Sequence, residues 1–393
     1  MASTLHEARP EHLVIDADTH LTERHDLWTG RAPAALRDKM PHVAQVDGEA
    51  TWVVGGNVMG RAGAGGVVDR DNKKGRSFEA LYEWEIDRIH EGAYDPVARL
   101  EMMDEAGVHA QVIFPNTVGL GGQSLSQAID DPVLRLLCVE MYNDSNAEMQ
   151  EESGNRLLPM AVLPAWSVDA CVREAERAAS LGMRGVNITS DPQDQDAPDL
   201  ANHAWDPLWE VCSDQQLPVH FHIGASLTTM TFFDNYPWAS HDDDTKLAIG
   251  GTLLFVGNGR VVVNIICSGM LERHPELKIV SVESGAGWVP FILEALDYEM
   301  SENAPTLRNE TLSMSPTEYF KRQIYATMWF ERTNLPSLVA AVGEDNILFE
   351  TDFPHPTCLY PDPLTSAHEN MRELSETARN KILGGNATKL YRL

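Results

Sequence analysis

Eight short apolar runs recur along the chain, none with strict alternation of polar and apolar positions. They are LVIDAD (13–18), AQVIFP (110–115), LLPMAVLP (157–164), GVNIT (185–189), PVHFH (218–222), LKIVSVE (277–283), IYATMWF (324–330) and ILFETDF (347–353). Each has the length of a strand and is rich in apolar residues on both faces, as strands covered on both sides are. Amphipathic stretches separate them. DPVARLEMMDEAG (95–107) has Pro near its start and Gly at its end, the positions these residues favour at helix termini. VDACVREAERAASLG (168–182) and WDPLWEVCSDQQ (205–216) repeat the pattern. Strands alternating with helices predict an α/β fold, a (β/α)8 TIM barrel. Residues 20–94 carry the Gly-rich VVGGNVMGRAGAGGVVDR and no clear barrel element, so they are expected to be an insertion after the first strand that caps the barrel mouth. Residues 226–275 read as a helical excursion after the fifth strand. With no repeat and no linker, 1–393 is predicted to be a single domain.

Composition acts mainly by exclusion. The chain has 393 residues, with 30 Lys and Arg against 59 Asp and Glu, a formal charge of −29. Such a chain repels phosphate backbones and anionic lipid, which argues against nucleic-acid and membrane partners. Cys138, Cys171, Cys212, Cys267 and Cys358 form no CxxC pair, so neither a disulfide framework nor a zinc ribbon is expected. The start, MASTLHEARPEH, lacks the apolar core of a signal peptide, and HEARPEH is expected to be disordered. The longest apolar runs, such as VVVNII (261–266), read as too short to span a bilayer. A cytoplasmic protein is expected. The Gly-rich stretch 55–66 lacks a GK[ST] and a following helix, which excludes a phosphate loop.

The chemistry lies at the strand ends, which converge on one face of a barrel. VIDADTHLTE ends in Asp18, with His20 two residues on and Glu23 beyond. The fifth strand ends in His220 and His222, which share a face in a period-two strand. The sixth ends in Glu283 and the eighth in Asp352, followed by His355. Asp18, His20, Glu23, His220, His222, Glu283, Asp352 and His355 are therefore the candidate metal ligands, with Glu283 and Asp352 also the candidate catalytic carboxylates. Each has a plainer reading: a capped turn for Asp18 and His20, a satisfied buried histidine for His220, and a supporting contact for His355. Glu350 faces as Asp352 does, and an ion pair is its expected role. A carboxylate at the end of an apolar strand is costly to bury unless paired or bound to metal. One ion uses three or four protein ligands, and this set offers more. Mixed His and carboxylate donors suit a pair of iron or manganese ions. Trp288 and Trp329 are expected to be pocket walls.

Asp18-x-His20, PVHFHIG (218–224), HPELKIV (274–280) and TDFPH (351–355) together resemble the amidohydrolase-related family of the amidohydrolase superfamily. That family includes aminocarboxymuconate-semialdehyde decarboxylase and related aromatic-acid decarboxylases. GAYDPVARLEMMDEAGVHAQVIFP (92–115) and ILGGNATKLYRL (382–393) extend the resemblance over nearly the whole chain. It implies a metal held by Asp18 (in the place of the family's first His), His20, His222 and Asp352, and a homo-oligomer. One position departs: where the decarboxylases have an acid/base His, this chain has Glu283. In this it is similar to a branch of non-heme dinuclear-iron monooxygenases, among them hydroxylases of diterpenoid acyl thioesters in platensimycin-type biosynthesis and of a small amino acid. The first expectation is accordingly an oxidoreductase, a diiron monooxygenase hydroxylating an unactivated C–H bond of an organic acid or acyl thioester. It would use two Fe ions (Mn, or one Zn, as alternatives), O2 as co-substrate and an external electron donor. The alternative is a mononuclear metal-dependent decarboxylase or hydrolase acting on a carboxylic acid or a C–C or C–N bond. A passive binding module is poorly served by so many ionisable groups. The substrate is expected to be a small molecule lined by residues 20–94 and 226–245, whose aromatic and Met content points to an apolar body.

Overall fold

The structure is a computed structural model that describes residues 13–234 and 238–393, with the backbone alone at 232–234. HEARPEH lies outside the described residues. The strands are β1 (Ile15–His20), β2 (His42–Val46), β3 (Glu49–Val54), β4 (Asn57–Arg61), β5 (Ala110–Phe114), β6 (Leu157–Pro159), β7 (Ala161–Val162), β8 (Val186–Asn187), β9 (Val219–His222), β10 (Ile279–Val282), β11 (Ile324–Met328) and β12 (Ile347–Phe349). Two parallel runs make the barrel, β1–β5–β6 and β7–β8–β9–β10–β11–β12. They join through Met160, where β6 passes into β7, so these two pieces are one barrel strand. The other seam closes just beyond β12. There the Asp352 amide donates to the Asp18 carbonyl at 2.9 Å and the His20 amide to the Phe353 carbonyl at 2.8 Å. The expected (β/α)8 barrel is thus the fold. One boundary moves: β1 runs to His20, so Asp18 and His20 lie within the strand.

Ile15, Ala17, Val112, Phe114, Met160, Val280, Val282 and Leu348 fill the barrel interior, and Leu390 and Tyr391 of the terminal helix Asn386–Tyr391 pack among them. The expected outer helices form where their end signals stand. Helix Pro96–Ala106 begins under the Asp95 carboxylate, which accepts from the Val97 and Ala98 amides, and ends at Gly107 with φ 73. Ser167 caps helix Val168–Ser180 in the same way.

The excursion after β1 contains an antiparallel sheet, β2–β3–β4, that the Gly-rich sequence did not disclose. Its Trp52 packs edge-on against Trp28, with centroids 5.3 Å apart, and both bury against Leu125, Val139 and Tyr142 on the barrel's flank. Further along, Val67, Val68, Trp84 and Ile89 pack on Phe353 and Cys358, next to the end of β12. Buried Arg99 pins the return of the excursion. It donates to the Gly92 and His20 carbonyls and to Gln111 Oε1.

The second excursion is a pair of packed helices, Leu227–Asp234 and Asp243–Cys267. The latter has 25 residues, and an apolar window of 18 residues within it reaches a mean hydropathy of 1.5, which by length and composition is enough to cross a membrane. The apolar runs within it are short, as expected, broken by Asn258, Arg260 and Asn264. Half of the apolar window is buried inside the fold. Val261, Val262, Ile265 and Ile266 join the main core. Asn258 donates to the Phe221 carbonyl at 3.0 Å, and Arg260 forks onto Asp191 at 2.8 and 2.6 Å.

Gly384 offers a test of how the terminal helix seats. A Cβ there would lie 1.8 Å from the Leu13 carbonyl oxygen, a backbone atom that cannot swing aside. Gly384→Ala is expected to cost about 1–3 kcal/mol, the usual toll of overpacking. It should lower the urea midpoint with the slope retained; a midpoint equal to the parent's contradicts the packing described.

Candidate metal centre

The pairing of β1 with β5 shifts register between Asp16 and Thr19, so that Asp18 and His20 reach the interior as Ile15 and Ala17 do below them. His222 ends β9. Glu283 and Asp352 lie just past β10 and β12, both in left-handed backbone with φ 53 and 59. A non-glycine residue there costs of order 1–3 kcal/mol and persists only where its surroundings enforce it. Here they do. The Glu283 amide donates to Thr327 Oγ1 at 3.0 Å, and the Asp352 amide is the seam donor to Asp18.

These side chains meet. His20 Nε2 is 3.6 Å from Asp18 Oδ1 and 3.7 Å from Asp352 Oδ1. His222 Nε2 is 3.5 Å from both Asp18 Oδ1 and Glu283 Oε2. His355 Nδ1 is 3.3 Å from Asp352 Oδ1, and its ring stacks on His20 with centroids 3.7 Å apart. Two sets of donors emerge, each with its atoms within 4.8 Å of one another: Asp18, His20, His222 and Glu283, and His20, Glu283, Asp352 and His355.

The donor chemistry fits a divalent cation. His20 Nδ1 faces the Pro115 carbonyl at 3.2 Å and His222 Nδ1 the Ile223 carbonyl at 2.8 Å. Those carbonyls hold the proton on Nδ1 and leave the Nε2 lone pair free, as in metal-binding histidines. Nε2 of both rings, both oxygens of Asp18 and Oδ1 of Asp352 are buried without a hydrogen-bond partner. Leaving so many polar atoms unsatisfied is costly, and one cation satisfies them together. Burial pushes His222 down to about 4 and lowers His20 strongly, with the neighbouring imidazoles adding to the latter, so both rings are neutral. Burial first, then the neighbouring Asp352 carboxylate, raises the carboxyls of Asp18 and Glu283 well above their ordinary range.

Two expected ligands fall outside this arrangement. His220 faces inward like His222 but sits deeper. Val186 O at 2.9 Å and Tyr391 Oη at 2.9 Å occupy its two nitrogens, so the ligand expectation is corrected to that of a satisfied interior histidine. Glu23 is likewise corrected: its carboxylate accepts from the amides of Asn116 at 3.2 Å, Thr117 at 2.9 Å and Val118 at 3.3 Å, tying down the loop after β5. Glu350 has no cationic partner among the described residues, against the expected ion pair. It sits beside Asp18 and accepts from the Glu283 amide at 3.3 Å, with its own carboxyl raised mainly by burial. Sequence reasoning also passed over Asn116, which meets His355 Nε2 at 2.9 Å, and Thr357, whose hydroxyl donates to Asp352. Trp329 stands behind the pocket wall, edge-on to Phe255 at 5.4 Å.

A cavity of about 470 Å³ opens above the cluster. Leu81 and Tyr82 from the first excursion and Met230 and Asp244 from the second line it, as anticipated for residues 20–94 and 226–245, and Leu247 extends the wall beyond them. Residues 235–237 of the second lie outside the described residues. Of the clustered residues, Glu283 and His355 are the two that line the cavity.

A family model described as Amidohydrolase matches residues 15–393. Gamma-resorcylate decarboxylase of Polaromonas sp. (strain JS666 / ATCC BAA-500) is 26% identical over 313 residues, covering 75% of this chain and 86% of its own. The 2-amino-3-carboxymuconate-6-semialdehyde decarboxylase of Dictyostelium discoideum is 24% identical over 345 residues, 86% of this chain and 88% of its own. Among solved structures, an amidohydrolase from Mycobacterium avium subsp. paratuberculosis K-10 superposes with a TM-score of 0.74 at 21% identity, over 98% of this chain and 100% of that one. The 5-carboxyvanillate decarboxylase of Novosphingobium aromaticivorans DSM 12444, complexed with manganese, gives 0.67 at 18% identity, over 98% and 97%.

The raised carboxyls make a pH prediction. A carboxyl whose folded value lies above its unfolded one stabilises the fold at low pH, and that contribution is lost as pH rises through the folded value. Those carboxyls therefore cost chelator-treated protein stability as pH climbs above about 4, while the lowered His20 and His222 act in the opposite sense up to about 6.5, their ordinary value, so a net loss of stability is expected above that pH. A divalent ion competes with those same protons. The rise in melting temperature on adding Mn2+ should then grow between mildly acidic and mildly alkaline pH. An increment that is flat or shrinks across that range contradicts the arrangement.

Proposed function

The chain belongs to the amidohydrolase family, and from that premise we propose that it is a metal-dependent decarboxylase acting on an organic carboxylic acid. The observation that carries this reading is the buried His and carboxylate cluster, its unsatisfied atoms turned on one another beneath a cavity that Glu283 and His355 line. Both relatives named above are decarboxylases, and one structural neighbour is a decarboxylase complexed with manganese. In this reading Asp18, His20, His222 and Asp352 hold the ion, while Glu283 and His355 face the substrate. A divalent ion there supplies a Lewis acid that holds and polarises the acid's oxygens. Glu283 then moves the proton. As the bond between carbon and carboxylate breaks, CO2 leaves and the electron pair stays on carbon, where it takes the proton from the Glu283 carboxyl. Solvent returns a proton to Glu283 through the mouth. His355 is oriented for contact with the substrate by Asn116 and by its stacking on His20. Residues 20–94 serve as the cap of a single domain and limit water at the reacting carbon.

One observation favours a second reading. Together the two donor sets hold six residues, more than the three or four that one ion uses, and Glu283, common to both, is a carboxylate able to bridge two ions. Two irons there, with O2 and an external electron donor, would make the protein a monooxygenase.

One set of measurements separates these readings: metal analysis of protein purified without chelator, and CO2 release from a panel of aromatic carboxylic acids. The parent should hold about one ion per chain. His222→Ala should lose most of it. Glu283→Gln should keep its ion, while CO2 release falls about 10²–10⁴-fold, the usual worth of a positioned proton donor. Two irons in the parent, one in Glu283→Gln, and O2 uptake in place of CO2 release would overturn the decarboxylase reading in favour of the second.

A further inference from the structure

The cavity above the centre is larger than a single-ring acid requires. Its volume is about 470 Å³. A cavity of ~150 Å³ already encloses a benzene ring, and pockets of ~300–1,000 Å³ enclose drug-sized ligands. Its polar groups lie at two levels. Glu283, His355 and Thr357 form the floor over the metal centre, while Arg76, Ser77, Tyr82, Asp244 and Thr252 stand on the excursions around it, the Thr252 hydroxyl donating to the Ala248 carbonyl. The rest of the wall is mainly apolar, with Leu81, Leu120, Met230, Leu247, Leu254 and Phe255. A polar substituent held against such a wall would lose its hydrogen bonds to water without replacement.

One wall is a single helical face. Leu247, Gly251, Leu254 and Phe255 follow one another at helical spacing along Asp243–Cys267. Phe255 is held in place by Trp329 and by Phe330, whose ring centroid is 5.6 Å away. Gly251 is the break in this face. It lines the cavity, and a Cβ added there would meet nothing within 4 Å. Glycine inside a helix costs about 0.5–1 kcal/mol relative to alanine, and its φ is not among the positive ones that would require it. What the glycine provides is space in the cavity.

We propose that the substrate is a carboxylic acid whose apolar body is larger than one aromatic ring, and that Gly251 determines this specificity by leaving that body room. The inference rests on the reading that the acid's head binds at the metal centre. The body lies between helix Asp243–Cys267 and Leu81, with the carboxylate on the floor beside Glu283.

The test uses full-length, Mn2+-loaded protein and two probes, pyrene-1-carboxylate and benzoate, with affinities from calorimetric titration. The parent should prefer pyrene-1-carboxylate by roughly tenfold or more, the scale of apolar-pocket discrimination. In Gly251→Leu that ratio should fall roughly tenfold or more. Leucine is the better helix former, so the melting temperature should not drop, and metal content should stay at the parent's level. Ala248→Phe, at an exposed position that also lines the cavity, is the second variant and should lower the ratio in the same direction. Equal affinities in the parent, or a ratio unmoved in both variants, overturns the inference. Chelation separates this from the reading beneath it. If pyrene-1-carboxylate binds chelator-treated protein as tightly as metal-loaded protein, the placement of the head on the metal fails, while the ratio and its loss in the variants still decide the body.

Discussion

The seam between β12 and β1 is the contact on which the rest depends. Two backbone hydrogen bonds close the barrel there, and the one from the Asp352 amide to the Asp18 carbonyl also fixes two of the clustered carboxylates relative to each other. The seam is reinforced from below. Buried Asp16 accepts from the Thr351 amide at 2.8 Å, from the Thr351 hydroxyl at 2.6 Å and from Gln111 Nε2 at 3.0 Å. Burial raises this carboxyl to about 7 in spite of those donors. Arg99 extends the network through Gln111 to the His20 carbonyl and the end of the first excursion. The strand that carries Asp18 and His20 is thereby held from three directions, and the spacing of the two side chains is not free to drift.

Such rigidity is needed because the centre is unfavourable on its own terms. Asp18, Glu283, Glu350 and Asp352 crowd into a dry interior, and Glu283 and Asp352 also occupy left-handed backbone. Charge repulsion and strain would both relax if the strand ends could part. Packing of the barrel wall and the seam prevents that. A divalent cation converts the same crowding into coordination.

The two excursions do different work around this centre. The first anchors the loops next to it: Glu23 ties the segment after β5, and Val67 bonds to Pro354 beyond β12. The second brings a long apolar helix over the mouth. Its buried side joins the core, while Leu247, Gly251 and Phe255 face the cavity. The apolarity that gives this helix the hydropathy of a membrane span thus has two uses inside the fold.

Much of this was legible in the chain. The eight apolar runs marked the barrel strands because strands covered on both faces are mostly apolar, a polar residue there being costly unless it is partnered. For the same reason Asp18, His20, His222, Glu283 and Asp352 stood out. Local pattern sets the face a side chain presents, however, and not its depth or its remote partners. His220 and His222 are indistinguishable by period, and only Tyr391, from the far end of the chain, decided which of them is satisfied in the interior. Glu23 and Glu350 took their places from amides and carboxylates far from them in sequence. The sheet β2–β3–β4 was hidden because its burial comes from Trp28 and from the helix Pro132–Glu152 on the barrel's flank, which no pattern within residues 42–61 could disclose. The sequence by itself determined which strands carry His and carboxylate side chains towards the barrel interior. Tertiary packing alone decided which of them meet, because depth and partners are properties of the closed barrel.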